Sequence, residues 1–236
     1  MSNTIIKTIL VLANSIKKHP DRCIAGLEMT QVDGGYRFGQ WVRPIDQSKP
    51  EGAIPYQRML IGSKPVCPLQ CVEMSFDGPA NDPNHPEDWI LTPGSKWTVV
   101  GQYDHSVFQP IPDEAGDLWG LVSVPKRRIL TGTARNTLKL VKPEGPVLVE
   151  AFHDFNSFTQ RNQFRKYLTI PCRGVRHQFS ITDPLFEYRH GVSPGNVKKN
   201  ETLRFELAPE NLVVVVSLTP PLGEYQYKIA AAIIES

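Results

Sequence analysis

The cationic side chains of the central third are the residues whose type and spacing indicate a chemistry most directly. Residues 121–200 contain 14 Lys/Arg against 5 Asp/Glu. Eleven of these cations fall into two groups: Lys126, Arg127, Arg128, Arg135, Lys139 and Lys142, then Arg161, Arg165, Lys166, Arg173 and Arg176. Phe164, Tyr167 and Phe179 are interleaved with the second group. Because cations attract phosphate and aromatic faces accept stacked bases, the pattern is typical of a nucleic-acid surface. Solvated loop charge is the open alternative.

A second candidate surface lies in the first half, where aromatic residues recur along a predicted strand after a glycine turn. On a regular strand Arg37, Trp41 and Arg43 share one face, and Tyr36 and Phe38 share the other. Small β-barrels bind ligands on the outer face of neighbouring strands, so Trp41 and Arg43 are predicted to lie near bases. A core tryptophan with snorkelling arginines explains the same residues without a ligand.

The residues that could support catalysis or hold a metal are poorly spaced for either. His153 and Asp154 are adjacent, so on a strand their side chains point to opposite faces. Cys67 and Cys71 would lie about 13 Å apart on a strand, too far to share a zinc ion. Asp183 precedes a proline and is interpreted as a side-chain cap of a turn. We therefore expect a non-enzymatic protein with no cofactor and no metal.

The elements that must position these residues are predicted to be short strands. Proline, at 21 of 236 residues, is about twice as frequent as usual and disfavours long helices. Strands are predicted at Ile5–Leu12, Arg22–Met29, Tyr36–Val42, Leu69–Phe76, Leu138–Val141, Val147–Phe152, Phe164–Ile170, Val175–Ile181, Leu203–Leu207, Asn211–Leu218 and Tyr225–Ile234.

Several connections between these strands are also predicted. Asn14–Asp21 is interpreted as a polar turn, and residues 77–96 as a long irregular loop. Trp97–Tyr103 fits either a short helix or a strand. Leu138–Val141 and Val147–Phe152 are expected to pair as a hairpin. About five strands in each half fit a small barrel or a sandwich, and a five-stranded Greek-key barrel fits both halves.

Four ordered stretches of the chain resemble the prokaryotic dual OB-containing domain family. They are Ile9–Ser15 with Arg22–Gly26 and Trp41–Pro44; Asp88–Leu91 with Trp97 and Leu118–Gly120; Thr182–Pro184; and Val215–Leu218 with Tyr227–Ile234. The resemblance implies a mainly β protein of two tandem OB-like small barrels with few short helices. It also implies a nucleic-acid-binding role in bacterial defence or mobile-element biology.

These observations combine into one functional hypothesis. We expect barrels over residues 1–136 and 137–236 that bind DNA or RNA, with single strands favoured. The predicted contact residues are Arg43, Trp41, Lys126, Arg127, Arg128, Arg135, Arg165, Lys166, Tyr167, Arg173 and Arg176.

Two other functional classes remain open. One is a protein-interaction module; the other is an enzyme acting on nucleotides or glycans, with Asp183, His153 and His177 in one cleft. Four cysteines are too few for a disulfide scaffold, and the apolar runs are shorter than a membrane span. The expected location is therefore the cytoplasm, without a membrane partner.

Overall fold

The chain folds into two compact units built mainly from β-strands, which confirms the predicted fold class. The computed structural model describes residues 4–33, 35–114, 118–119, 127–157 and 160–236. The first unit comprises residues 1–112 and 131–138, and the second comprises residues 113–130 and 139–236. The expected boundary after residue 136 stays a prediction.

Among the described residues, eight strands belong to the first unit. They are β1 (Ile5–Lys18), β2 (Asp21–Val32), β3 (Gly35–Ile45), β4 (Leu60–Ile61), β5 (Lys64–Pro65), β6 (Gln70–Pro79), β7 (Asp88–Leu91) and β8 (Thr98–Gln102). Short 3-10 turns cover Pro50–Gly52, Tyr56–Met59 and His105–Phe108.

Five of these strands close into a barrel. The order is β1-β2-β3-β7-β6, and β6 pairs back to β1. β3 and β7 run parallel, whereas the other neighbours in the ring are antiparallel. Apolar side chains such as Ile9, Val42, Val72 and Phe76 fill the interior. This is the five-stranded Greek-key barrel expected of an OB fold.

Two predicted connections in this unit are wrong. The polar turn at Asn14–Asp21 is mostly strand, since β1 continues to Lys18. Asn14 is polar yet buried, because its side-chain amide donates a 2.7 Å hydrogen bond to the Val66 carbonyl oxygen. The irregular loop at 77–96 contains β7, which closes the barrel by pairing with both β3 and β6. The undecided segment after Trp97 is the strand β8.

A β-bulge changes the predicted faces of β3. Leu27 lies opposite Trp41, but Met29 lies opposite Phe38, so β3 has one more residue than β2 between the two pairs. Because Leu27 and Met29 share a face, Trp41 and Phe38 also share one. Trp41 therefore joins the face of Tyr36 and Phe38, not that of Arg37. The predicted face of Arg37, Trp41 and Arg43 is wrong.

The described part of the second unit contains eight strands and one short helix. They are β9 (Arg128–Leu130), β10 (Leu138–Val141), β11 (Val147–Asn156), β12 (Arg161–Cys172), β13 (Val175–Ile181), β14 (Thr202–Leu207), β15 (Leu212–Leu218), β16 (Tyr225–Glu235) and the helix α1 (Pro184–Arg189). In the part of the chain that the structure describes, no helix has the length and apolar character needed to cross a membrane.

The second sheet, like the first, contains a parallel pair of strands. Its order is β10-β15-β16-β13-β12-β11-β14, with β9 on β16. β13 pairs in parallel with β16, as β3 does with β7. The predicted hairpin of β10 and β11 is wrong, since β10 pairs with β15 and β11 lies between β12 and β14. Pro143 and Pro146 lie in the connection between β10 and β11.

Gly26 provides a test of the first barrel. A Cβ at this position of β2 would lie 2.1 Å from the backbone oxygen of Leu10. Gly26→Ala should therefore lower the free energy of unfolding by roughly 1–3 kcal/mol, measured by urea denaturation. Gly195→Ala is the control, because an added Cβ there meets nothing within 4 Å. Equal stability of the two variants would contradict the close approach.

Candidate nucleic-acid interface

A row of aromatic side chains lies on the outer face of the second sheet. Tyr167 of β12 lies opposite Ser180 of β13, and Ser180 lies beside Ile229 of β16. Strand alternation places Tyr227 and Tyr225 on the same face as Ile229. The opposite face is the interior, because alternating residues such as Leu168 and Phe179 are fully buried.

Arginine side chains lie against these rings. The guanidinium carbon of Arg127 is 5.0 Å from the centre of the Tyr167 ring, and that of Arg128 is 3.9 Å from the Tyr225 ring. Arg165 lies opposite Phe152, whose ring centre is 6.0 Å from that of Tyr167. We call this surface the arginine–aromatic face. It comprises Arg127, Arg128, Phe152, Arg165, Tyr167, Arg176, Tyr225 and Tyr227.

Arg176 extends the face along the strands. Arg176 is exposed and lies opposite Pro171. This pair comes two positions after the Thr169–Gln178 pair, so both pairs have their side chains on the outer side of the sheet. About six residues of β12 separate Pro171 from Arg165, which corresponds to roughly 20 Å of strand. The arginines thus follow a line long enough to contact several successive phosphates.

The acidic neighbours of the face do not neutralise it. Asp154 lies 3.9 Å from Arg165, with side chains 53% and 34% exposed. Ion pairs this open to solvent are weak and contribute less than about 1 kcal/mol. Glu150 similarly lies 3.7 Å from Arg204 of β14. A phosphate can therefore compete for Arg165 at little cost.

Several predicted contact residues lie elsewhere. Lys166 points to the inner side, opposite Ala151, and forms an ion pair with Glu187 of α1. Arg173 is exposed in the β12–β13 turn, where its backbone N–H donates to Glu144. Arg135 is exposed but belongs to the first unit, and Lys126 lies outside the described residues. The face thus unites Arg127, Arg128, Arg165, Tyr167 and Arg176 of the predicted set.

Trp41 and Arg43 are buried in the first unit. Arg43 is 4% exposed, and its Nε and Nη2 donate to the Asp88 carboxylate at 2.5 and 2.9 Å. Burial alone would lower the pKa of Arg43, but the bonds to Asp88 outweigh it and raise the pKa above its usual value. A contact between Arg43 and a base would require this buried pair to break, so the residue has a structural role in the observed conformation.

Sequence reasoning missed three aromatic members of the face, namely Phe152, Tyr225 and Tyr227. Their alternation marks them only as strand residues. The missing information is the cross-strand register, which places Phe152 opposite Arg165 and brings β16 beside β13. The sequence offers little signal for the two tyrosines, because residues 201–236 contain 2 Lys/Arg against 5 Asp/Glu.

Asp183, His153 and His177 are the possible catalytic residues of the second unit, and their contacts do not join them into one site. Asp183 caps α1 by accepting from the backbone N–H groups of Leu185 and Phe186, as the sequence indicates. The ring of His153 contacts the Val197 carbonyl oxygen at 2.9 Å. His177 is 3% exposed, and burial, with a smaller effect of Lys228, lowers its pKa. Among the described residues, no group of three or more His, Cys, Asp or Glu could hold a metal ion.

A buried polar cluster in the first unit resembles a catalytic arrangement but is inaccessible. The Thr137 hydroxyl donates to Glu87 at 3.0 Å, so it accepts from Nδ1 of His85, also at 3.0 Å. His85 is 2% exposed and Thr137 is fully buried. Glu87 also accepts from the Thr137 backbone N–H. The cluster therefore anchors the segment at Thr137 to the loop before β7.

The first unit also has an open cavity of about 780 Å³. Arg58, Asp46, Lys96 and Trp97 are among its lining residues. The guanidinium of Arg58 donates to Asp46 at 2.9 Å and to the carbonyl oxygen of Thr92 at 2.7 Å. Since these bonds use two of its nitrogens, Arg58 primarily ties the loop after β3 to the loop after β7.

The buried Arg43–Asp88 pair predicts a large loss of stability on mutation. Asp88→Asn leaves the guanidinium buried without its counter-charge, so the free energy of unfolding should fall by roughly 3–5 kcal/mol. Asp154→Asn removes the exposed partner of Arg165 and should cost less than about 1 kcal/mol. Urea denaturation of both variants measures the difference. Similar losses would show that Arg43 is not held as described.

His85 predicts a specific pH dependence. Burial, with smaller effects of Arg43 and Lys17, lowers its pKa to about 2. The unfolded chain binds a proton at this histidine below about pH 6.5, whereas the folded chain does not, so stability falls as the pH drops. Between pH 7 and 5 this loss amounts to about 2 kcal/mol.

His85→Asn is the test variant. His19→Asn, which replaces an exposed histidine, is the control. Denaturation at the two pH values should show a smaller pH-dependent loss in His85→Asn than in the wild type. His19→Asn should retain the wild-type loss. An unchanged loss in His85→Asn would mean that His85 becomes protonated in the folded protein.

Comparison with known proteins agrees with this architecture. A family model for the dual OB-containing domain matches residues 7–233, nearly the whole chain. No curated protein matches the sequence. The closed five-stranded barrel, the related second sheet and this match together show that the chain belongs to the dual OB-containing domain family.

Proposed function

We propose that the protein binds nucleic acid, without catalysing a reaction, on the arginine–aromatic face of its second unit. The observation that carries the proposal is the sheet register. It aligns arginines with the rings of Phe152, Tyr167, Tyr225 and Tyr227 on one outer face. OB folds often use the corresponding strands for oligonucleotides.

Single strands fit this face better than a duplex. Guanidinium groups bind phosphate through paired N–H donors, and each such contact releases counterions. Aromatic rings add affinity only when base faces are accessible, which stacking in a duplex prevents. The proposed ligand is therefore single-stranded DNA or RNA.

Binding requires a rearrangement of the stacked arginines. Tyr167 is only 8% exposed, and Arg127 lies over its ring. A base can stack on Tyr167 once Arg127 turns towards a phosphate. Because the Tyr167 ring is buried, the cation–π contact released costs up to about 2 kcal/mol, which lies within the range of about 1–3 kcal/mol that a stacked base contributes.

The wider biological setting rests on the family resemblance. We include in the proposal a cytoplasmic location and a role in prokaryotic defence or mobile-element biology. A protein partner that docks on either unit is compatible with this function.

Fluorescence anisotropy with labelled single strands of about 20 nucleotides tests the proposal. Affinity should fall steeply between about 50 and 200 mM salt. Arg165→Gln with Arg176→Gln removes two proposed phosphate contacts, so the slope of log affinity against log salt should decrease by about 1.4.

Lys18→Gln with Lys49→Gln is the matched control, because it removes two exposed charges from the first unit. This control should keep the wild-type slope. Absence of binding by the wild type at low salt would reject the function. Equal slopes for the arginine variant and the wild type would reject the face.

A further inference from the structure

The β11–β12 hairpin continues beyond its neighbouring strands. The pairing of β14 with β11 ends at Phe152, and the pairing of β13 with β12 ends at Tyr167. β11 and β12 remain paired as far as Asn156 and Arg161. Residues 153–156 and 161–166 therefore form a two-stranded extension, which we call the arm.

The two sides of the arm carry different side chains. Strand alternation places Asp154, Asn156 and Arg161 on the side that continues the arginine–aromatic face. On the reverse side, His153 lies opposite Phe164 and Phe155 lies opposite Asn162. The arm thus presents polar and cationic groups on one side and aromatic rings on the other.

The reverse side is anchored at the base of the arm. His153 contacts the Val197 carbonyl oxygen at 2.9 Å, and its ring centre is 5.2 Å from that of Phe164. The arm therefore lies against the loop that contains Val197. Phe155, two pairs farther out, is 56% exposed. Its ring is available to a ligand without displacing another side chain.

Cationic groups follow directly on the contacting loop. Lys198 and Lys199 come after Val197, and both are exposed. Lys198 lies 3.2 Å from Glu201, but its side chain is 82% exposed, so the pair is weak. The reverse side of the arm consequently offers an exposed ring, and the loop that contacts its base carries exposed ammonium groups, the combination that binds a base and its phosphate.

We infer that a single strand bound on the arginine–aromatic face passes around the arm and stacks a base on Phe155, with Lys198 and Lys199 neutralising the adjacent phosphates. This inference rests on the proposed function. It adds a second contact surface that only a longer strand can reach. A short oligonucleotide occupies the face alone.

Oligothymidylates of two lengths test this arrangement, about 6 and about 20 nucleotides. Phe155→Ala should weaken binding of the longer strand roughly 5- to 100-fold, the loss expected for one stacked base, and leave the shorter one unchanged. Phe155→Trp should preserve binding of the longer strand. Arg165→Gln should weaken both lengths. Tyr188→Ala, which truncates an exposed aromatic side chain of α1, is the control and should match the wild type.

The outcomes separate this inference from the proposed function. If Arg165→Gln weakens binding but Phe155→Ala binds the longer strand like the wild type, the second surface is rejected and the face is retained. An equal loss for both lengths in Phe155→Ala would also overturn the path around the arm. If the wild type binds neither length, both proposals fail.

Discussion

The parallel pairing of β13 with β16 is the constraint on which the candidate interface depends. It places Ile229 beside Ser180, and antiparallel pairing of β12 with β13 places Ser180 beside Tyr167. These two pairings place Tyr225 and Tyr227 on the same face of the sheet as Tyr167. β9 then adds Arg128 to the outer edge by pairing with β16. A change of one residue in the register would move each ring to the interior side.

Burial gives arginine different roles in the two units. Arg43 lies inside the first unit and is fixed by Asp88, so its charge stabilises the junction of β3 and β7. Arg165 has an acidic neighbour too, but both side chains are partly open to water. An arginine in a buried ion pair does not readily exchange its carboxylate partner for a phosphate, whereas an arginine in an exposed pair does. Residue type alone therefore does not identify a ligand-binding arginine.

The sequence predicts those elements whose local pattern and tertiary environment agree. Val213–Val216 is continuously apolar, and β15 is buried along its whole length. Tyr225–Ile234 is likewise a strand, as its alternation predicts. β7 escaped prediction because four residues among prolines give little periodic signal, and its pairing partners are distant in sequence. The face of Trp41 was misassigned because one extra residue in β3 reverses the alternation.

The sequence predicts which residue types form the candidate interface, but it predicts only some of the individual residues. Local charge identified Arg127 and Arg165, whereas the orientation of Lys166 follows from its pairing with Ala151. Phe152 and Tyr225 required long-range register. Cross-strand pairing is set by the whole sheet, so a window of neighbouring residues cannot reveal it.

Ultraviolet crosslinking of the intact protein to a single strand containing 5-bromouracil, followed by mass spectrometry of the peptides, tests the central claim most directly. The account predicts crosslinks at Tyr167 and at Tyr225 or Tyr227, which lie on one face but far apart in the chain. Crosslinks confined to residues 1–112 would contradict it, because the strand would then bind the first unit and not the arginine–aromatic face.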